Sequence, residues 1–230
     1  MSRDSRRLDL VKAVQRDLGF ARWQSGHSRP ANPFDADRVR PGAVAWVHPA
    51  GDAAGGEDEV AACLEKAMRT KVGFIAGPRG SGKSTLLRHV VALAEDRGMR
   101  AIFLHGRTPV PPVRDLRKLD LVATDVAGRF WPVWWSRLLV GCLRARTPVV
   151  GTAHIGLPGL TINYREPEPV EVQAVIERCL AGTGAAVPPL EDVAERLRAA
   201  DGSVRAVLWS YYDDWEDGLM SSEGWPRRAA

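Results

Sequence analysis

Three cysteines in 230 residues, at positions 63, 142 and 179, are too few and too scattered for a disulfide framework. No pair of them stands at the short spacing of a zinc site, so buried free thiols in a reducing, cytoplasmic compartment are the expectation. Long hydrophobic runs are also missing. The longest, Phe130 to Leu143, covers 14 residues and includes Arg137, short of the roughly 20 apolar residues that a membrane span needs. Leu8 to Phe20 is broken by Asp9, Lys12, Arg16 and Asp17 and reads as a short amphipathic helix, not as a secretory signal. A large charge excess is lacking too. The net charge is +4, and the first 40 residues carry nine Arg or Lys against five Asp. That bias permits contact with nucleic acid, but no helix-turn-helix, zinc-finger or nucleic-acid-binding sheet signature directs it there.

What is present is concentrated in one stretch. Gly77-Pro78-Arg79-Gly80-Ser81-Gly82-Lys83-Ser84-Thr85 fits the pattern G-x-x-x-x-G-K-[ST] without a mismatch. The strand-like run Lys71 to Ala76 precedes it. A helical pattern follows, with Leu86, Leu87, Val90, Val91 and Ala94 on one side. Strand, glycine-rich loop and helix together form an anion cradle, because the glycines let the loop turn its amides inward and the helix adds its positive end. A nucleoside triphosphate is the expected ligand. Lys83 would reach its β- and γ-phosphates, the Ser84 hydroxyl would coordinate Mg²⁺, and Thr85 would support the first helical turn. Arg79 faces either phosphate or solvent.

Four more strand candidates follow, at Arg100 to Leu104, Leu119 to Thr124, Pro148 to Thr152 and Leu160 to Tyr164, with a helical segment at Trp134 to Ala145. The class expected is α/β, a three-layer fold with a mostly parallel central sheet whose carboxyl edge carries the function. From Pro169 the pattern changes to three helical stripes without a strand, which reads as a small C-terminal helical lid. The divisions are therefore 1–56, an N-terminal helix and extended arm; 57–168, the phosphate-binding core; 169–217, the lid; and 218–230, a loosely held tail. Phe34 and Val39 would pin the arm to the body. Leu119 to Asp125 has the form of a buried strand ending in an acid, and Asp125 would accept hydrogen bonds from Mg²⁺-bound water and complement Ser84.

In this order the elements resemble P-loop ATPases of the additional-strand group, AAA+ and STAND-like domains, over roughly Glu57 to Glu216. Lys71 to Leu87 is similar to their strand-loop-helix unit, and Leu119 to Asp125 to their second acidic motif. Pro148 to His154 resembles their next strand, which implies that Thr152, or its neighbour His154, senses the γ-phosphate. Gly202-Ser203-Val204-Arg205 resembles the Gly-x-x-Arg element of their lid, which implies a contact between Arg205 and the triphosphate. Lys83, Asp125, Thr152 and Arg205 are then the catalytic set, and ATP and Mg²⁺ the cofactors; no Asn-Lys-x-Asp guanine-recognition element is present. One departure is plain. Such ATPases commonly follow the acid with a glutamate that activates water, whereas Asp125 is followed by Val126 and the next carboxylate is Glu166.

The functional expectation is a Mg²⁺-dependent ATPase with an unassigned general base, or an ATP-controlled switch, acting on a protein partner. Homo-oligomerisation would let a second subunit donate an arginine, with Arg129, Arg144, Arg146 and Arg165 as candidates by residue type. A small-molecule kinase is one alternative, with His105, Arg107 and the turn Pro109 to Pro112 lining an acceptor pocket. An ATP-dependent DNA-binding adaptor is the other, resting on the basic N-terminal bias.

Overall fold

Five short segments supply the sheet. In the computed structural model, which describes residues 32–35, 53–105, 108–125 and 131–220, they are β1 (Val72–Ala76), β2 (Ala101–His105), β3 (Leu121–Asp125), β4 (Val149–Ala153) and β5 (Thr161–Tyr164). The strand order is β2-β3-β4-β1-β5, and every pairing is parallel. β1 to β4, covered on both faces, are therefore mostly apolar, whereas the edge strand β5, Thr-Ile-Asn-Tyr, buries only Ile162. Insertion of β4 between β1 and β3 has a functional consequence. It sets the carboxyl ends of β1, β3 and β4 side by side.

Helices cover both faces. On one side lie α1 (Ala53–Thr70) and α2 (Lys83–Asp96), whose Leu64, Leu86, Leu87 and Val90 pack against Ile75, Phe103, Ala123 and Val150. The opposite face carries the one-turn α3 (Val113–Leu116) and α4 (Trp131–Ala145), where Leu116, Trp135 and Leu138 meet Phe74, Leu104, Val122 and Val149. Alternate residues of each strand thus feed alternate layers. Trp135 packs on Phe74 with ring centroids 5.1 Å apart, and Trp134 donates its Nε1–H to the carbonyl of Thr108 at 2.7 Å. Aromatic packing behind the β3 tip therefore accounts for these two tryptophans. Cys63 and Cys142 are buried and Cys179 is half-buried, and none of the three forms a disulfide.

Beyond β5 the chain forms α5 (Pro169–Leu180), α6 (Leu190–Ala199) and α7 (Val204–Glu216). The first begins on a capping box, with Glu168 and Glu171 each satisfying the other's backbone and Pro169 at the helix start, where a missing N–H costs nothing. Between the last two, Gly202 takes φ +75° and donates its N–H to the Leu197 carbonyl at 3.0 Å, so the chain reverses in a few residues. Ser203 then caps α7 by accepting the Ala206 N–H at 3.2 Å. The three helices enclose their own apolar cluster, built on Val172, Ile176, Val193, Leu197, Val207 and Tyr211.

Phe34, expected to pin the arm to the body, lies in that helical cluster. Its ring stacks on Tyr211 at 5.9 Å, while Asn32 donates to the Tyr212 carbonyl at 3.2 Å and to Glu216 Oε1 at 2.8 Å. Residues 32–35 are thus held by an amide and a ring that find partners about 180 residues away in the chain. Val39, Leu8 to Phe20 and most of the 218–230 tail lie outside the described residues. All described residues fall within one compact unit, Asn32–Ala230. Among them no helix is long and apolar enough to cross a membrane.

Candidate functional site

The glycine-rich loop leaves β1 at Gly77 and enters α2 at Lys83. Gly77, Gly80 and Gly82 have φ of +146°, +76° and +88°, backbone that L side chains seldom adopt. Their placement in the sequence is therefore what allows the loop to curl. Space enforces the same choice, since a Cβ on Gly77 would lie 2.2 Å from the Arg165 carbonyl oxygen. Inside the curl the Ser81 hydroxyl is buried without a hydrogen-bond partner. A buried orphan hydroxyl is costly unless something satisfies it.

Lys83 is buried at the start of α2 and donates its amine to the carbonyls of Gly77 and Pro78. Burial holds its pKa below the ordinary lysine value; the nearby Arg205 pushes the same way and Asp125 opposes both. Ser84, one residue on, donates its hydroxyl to Asp125 Oδ2 at 2.7 Å. Thr152, buried in β4, donates to the other oxygen, Asp125 Oδ1, at 2.9 Å. The carboxylate at the end of β3 is thus held between α2 and β4. Because Ser84 gives its proton to the carboxylate, the lone pairs of its oxygen are left for a cation.

Arg205 sits in the first turn of α7, exposed, with its Cβ 3.1 Å from the place a Cβ on Gly80 would occupy. Ser203 Oγ is closer still to that place, at 2.4 Å, and Pro78 approaches Gly202. The helical unit therefore meets the loop within one chain. Arg79 is exposed and Thr85 half-buried on the first turn of α2. His154 is exposed just past β4; partial burial, Lys83 and Arg79 together hold its pKa below the usual imidazole value against the pull of Asp125. His105 pairs in register with Asp125 across β2 and β3, and burial followed by Arg88 lowers its pKa.

Of the arginines considered for donation to a second subunit, Arg165 is not available. It is buried and donates to Glu171 Oε1 at 2.7 Å within its own chain. Arg144 and Arg146 are exposed; Arg107, Arg129 and Val126 lie outside the described residues. The Arg165–Glu171 pair and the Gly80–Ser203 approach had no visible signal in the sequence, because neither residue type nor spacing marks a contact between loop and helices. Among the described residues no group of three or more His, Cys, Asp or Glu side chains could hold a metal ion. The donors that suit a cation are instead one hydroxyl and one carboxylate beside a phosphate-type loop, an arrangement that fits Mg²⁺ shared with phosphate oxygens and waters.

No protein-family model and no curated protein matches the sequence. Solved structures do. Drosophila ORC bound to DNA matches with a TM-score of 0.51 and 14% identity, over 94% of this chain and 68% of that one. The chain has an AAA+-like P-loop ATPase fold. Domain III of the Thermotoga maritima replication initiation protein DnaA aligns at TM-score 0.49 and 17% identity, over 83% of this chain and 92% of that one. A replication initiator DnaA bound to AMPPCP and single-stranded DNA aligns at 0.46 and 14%, over 70% of this chain and 62% of that one. This AAA+-like chain thus spans less than two thirds of that DnaA. At such identities the likeness is one of fold.

Proposed function

We propose that the chain is a Mg²⁺-dependent ATP-binding protein, a cytoplasmic ATPase or ATP-controlled switch that couples nucleotide state to the helical unit and to a partner. The observation that carries this reading is the Asp125 carboxylate, held at once by Ser84 and Thr152 at the mouth of the loop. The loop amides, the orphan Ser81 hydroxyl and the Lys83 amine would hold phosphate oxygens; Ser84 and Asp125 would hold the cation, directly or through water. Mg²⁺, when bound, supplies charge neutralisation on the phosphates. Lys83, now resting on two carbonyls, has anionic oxygens as its better partners, and desolvation there makes each charge count for more than in water.

Thr152 spends its proton on Asp125, so in this reading it acts first by orienting the carboxylate and only then by feeling the terminal phosphate. Arg205 lies close enough for Lys83 to feel its charge and would close on the phosphates from the same chain. Residues 169–217 then serve as the lid. With Val126 where a water-activating glutamate would stand, binding and switching are favoured over fast turnover. Drosophila ORC, which shares the fold, was solved bound to DNA, and the proposal extends to a nucleic-acid or protein partner and to self-assembly.

The deciding experiment measures nucleotide affinity and phosphate release with and without Mg²⁺. Lys83→Ala should weaken binding, whereas Asp125→Ala should lose the Mg²⁺-dependent part far more than the binding itself. Unchanged Mg²⁺-dependent behaviour in both variants rejects the assignment.

A further inference from the structure

The first glycine of the loop and the first turn of the helical unit are joined through one residue. Arg165 follows β5, and its N–H donates to the Ala76 carbonyl at 2.7 Å, extending the β1–β5 ladder by one step. Its own carbonyl oxygen crowds Gly77, leaving no room for a side chain there. Its guanidinium, 8% exposed, donates to Glu171 Oε1, and Glu171, 3% exposed, uses its other oxygen to accept the Glu168 N–H at the start of α5. Backbone on one side and side chain on the other thus tie the loop to α5. Only Glu166, Pro167 and Glu168 separate Arg165 from that helix, and two of the four residues from Glu166 to Pro169 are prolines with restricted φ.

We infer that Arg165 is a positioning residue, setting the angle at which the helical unit meets the phosphate-type loop and therefore where Arg205 arrives. The inference deepens the proposed nucleotide function and rests on it for the role of Arg205. A buried ion pair is well suited to this task. Its partners have no alternative hydration when separated, so the pair behaves as a latch with one favoured geometry, unlike an exposed pair that exchanges freely with water. The loop is touched from the other side too, where Ser203 and Arg205 close on Gly80. Movement of the loop is consequently felt at the starts of both α5 and α7.

Two measurements test this in the full chain. Hydrogen exchange of the ligand-free protein should show Arg165→Met raising exchange in Gly80 to Gly82 and in the first turn of α7 at least tenfold, with the α1–α2 layer unchanged. Separately, the preference for ATP over ADP should fall by about tenfold in Arg165→Met, and adding Arg205→Ala should lower it no further, since both changes remove the same contact. Arg165→Lys should recover part of each effect. Unchanged exchange at α7, or losses from Arg165→Met and Arg205→Ala that multiply, would overturn the inference. If Arg165→Met does not fold, Glu171→Gln, which keeps shape and one acceptor, decides by the same two readouts. If the wild-type chain binds neither nucleotide, the functional proposal fails while the exchange measurement still judges the latch.

Discussion

Ser84 donates its hydroxyl to Asp125 Oδ2 at 2.7 Å across 41 residues of sequence. The bond exists because β4 separates β1 from β3 in the sheet, setting the start of α2 and the tip of β3 at the right spacing. Asp125→Asn tests its chemistry. The amide keeps the volume but offers a single acceptor where the carboxylate serves both Ser84 and Thr152, and it carries no charge for a cation. Mg²⁺-dependent nucleotide affinity should fall on the order of tenfold, and any phosphate release by roughly 10²-fold, with thermal stability little altered. Titrations at several Mg²⁺ concentrations read both; a variant with the wild-type Mg²⁺ response removes Asp125 from the metal site.

Cys142 gives the fold an alkaline weakness. It is fully buried on the sheet-facing side of α4, and burial pushes its thiol from 9.0 to about 12. A folded-state pKa above the unfolded one means that the folded chain binds the extra proton, so this stabilising share is whole below pH 9.0 and is lost as pH climbs toward about 12. Cys142→Ala should lower stability at neutral pH by about 1 kcal/mol through the small cavity. In return its urea midpoint should fall less steeply than that of the wild type above pH 9.0. Parallel slopes for the two proteins would show that the thiolate is not the group being excluded.

The Phe34–Tyr211 stack joins residues 32–35 to the helical unit. Phe34 is 3% exposed, so Phe34→Ala removes a buried ring and should cost about 3 kcal/mol in urea unfolding. Asn32→Ala, which forfeits the bonds to Tyr212 and Glu216, should cost about 1 kcal/mol. Losses near zero for both would mean that the segment leaves the helices readily in solution.

The sheet was legible because its physics is local. Strands β1 to β4 are short, mostly apolar runs, as a parallel sheet covered on both faces favours; the observed bounds shift by no more than two residues from those expected. Asp125 could be placed for the same reason, as the polar end of such a run. Three features were hidden. The one-turn α3 follows Pro112 in four residues, too few for any periodicity. Phe34 has no neighbour in sequence that reveals its partner, since Tyr211 lies in the last helix. Arg165 looks like a surface charge after a strand, and only the folded chain brings Glu171 to its guanidinium and Gly77 to its carbonyl. Contacts between distant segments depend on topology and side-chain direction together, and spacing along the chain encodes neither.

Gly77 and Gly80 both need positive φ, yet substitution should harm them unequally, and the difference probes how the loop is held. At Gly77 an added Cβ would stand 2.2 Å from the carbonyl oxygen of Arg165, whose N–H is itself bound to Ala76. Only main chain can yield there, so Gly77→Ala should destabilise by about 3 kcal/mol or more. At Gly80 the nearest atom is Ser203 Oγ, at 2.4 Å, and a hydroxyl can rotate away at the expense of its cap on Ala206. Gly80→Ala should therefore cost only about 1–2 kcal/mol, part of it the lost cap. Ser203→Ala removes the clashing oxygen in advance, so the double variant should be less destabilised than the sum of the two single ones, by about 0.5 kcal/mol or more. Denaturant titration of the four proteins supplies the cycle. Strict additivity would mean that the loop tip and the first turn of α7 do not touch in solution, and with that contact would go the route by which Arg205 reaches the loop.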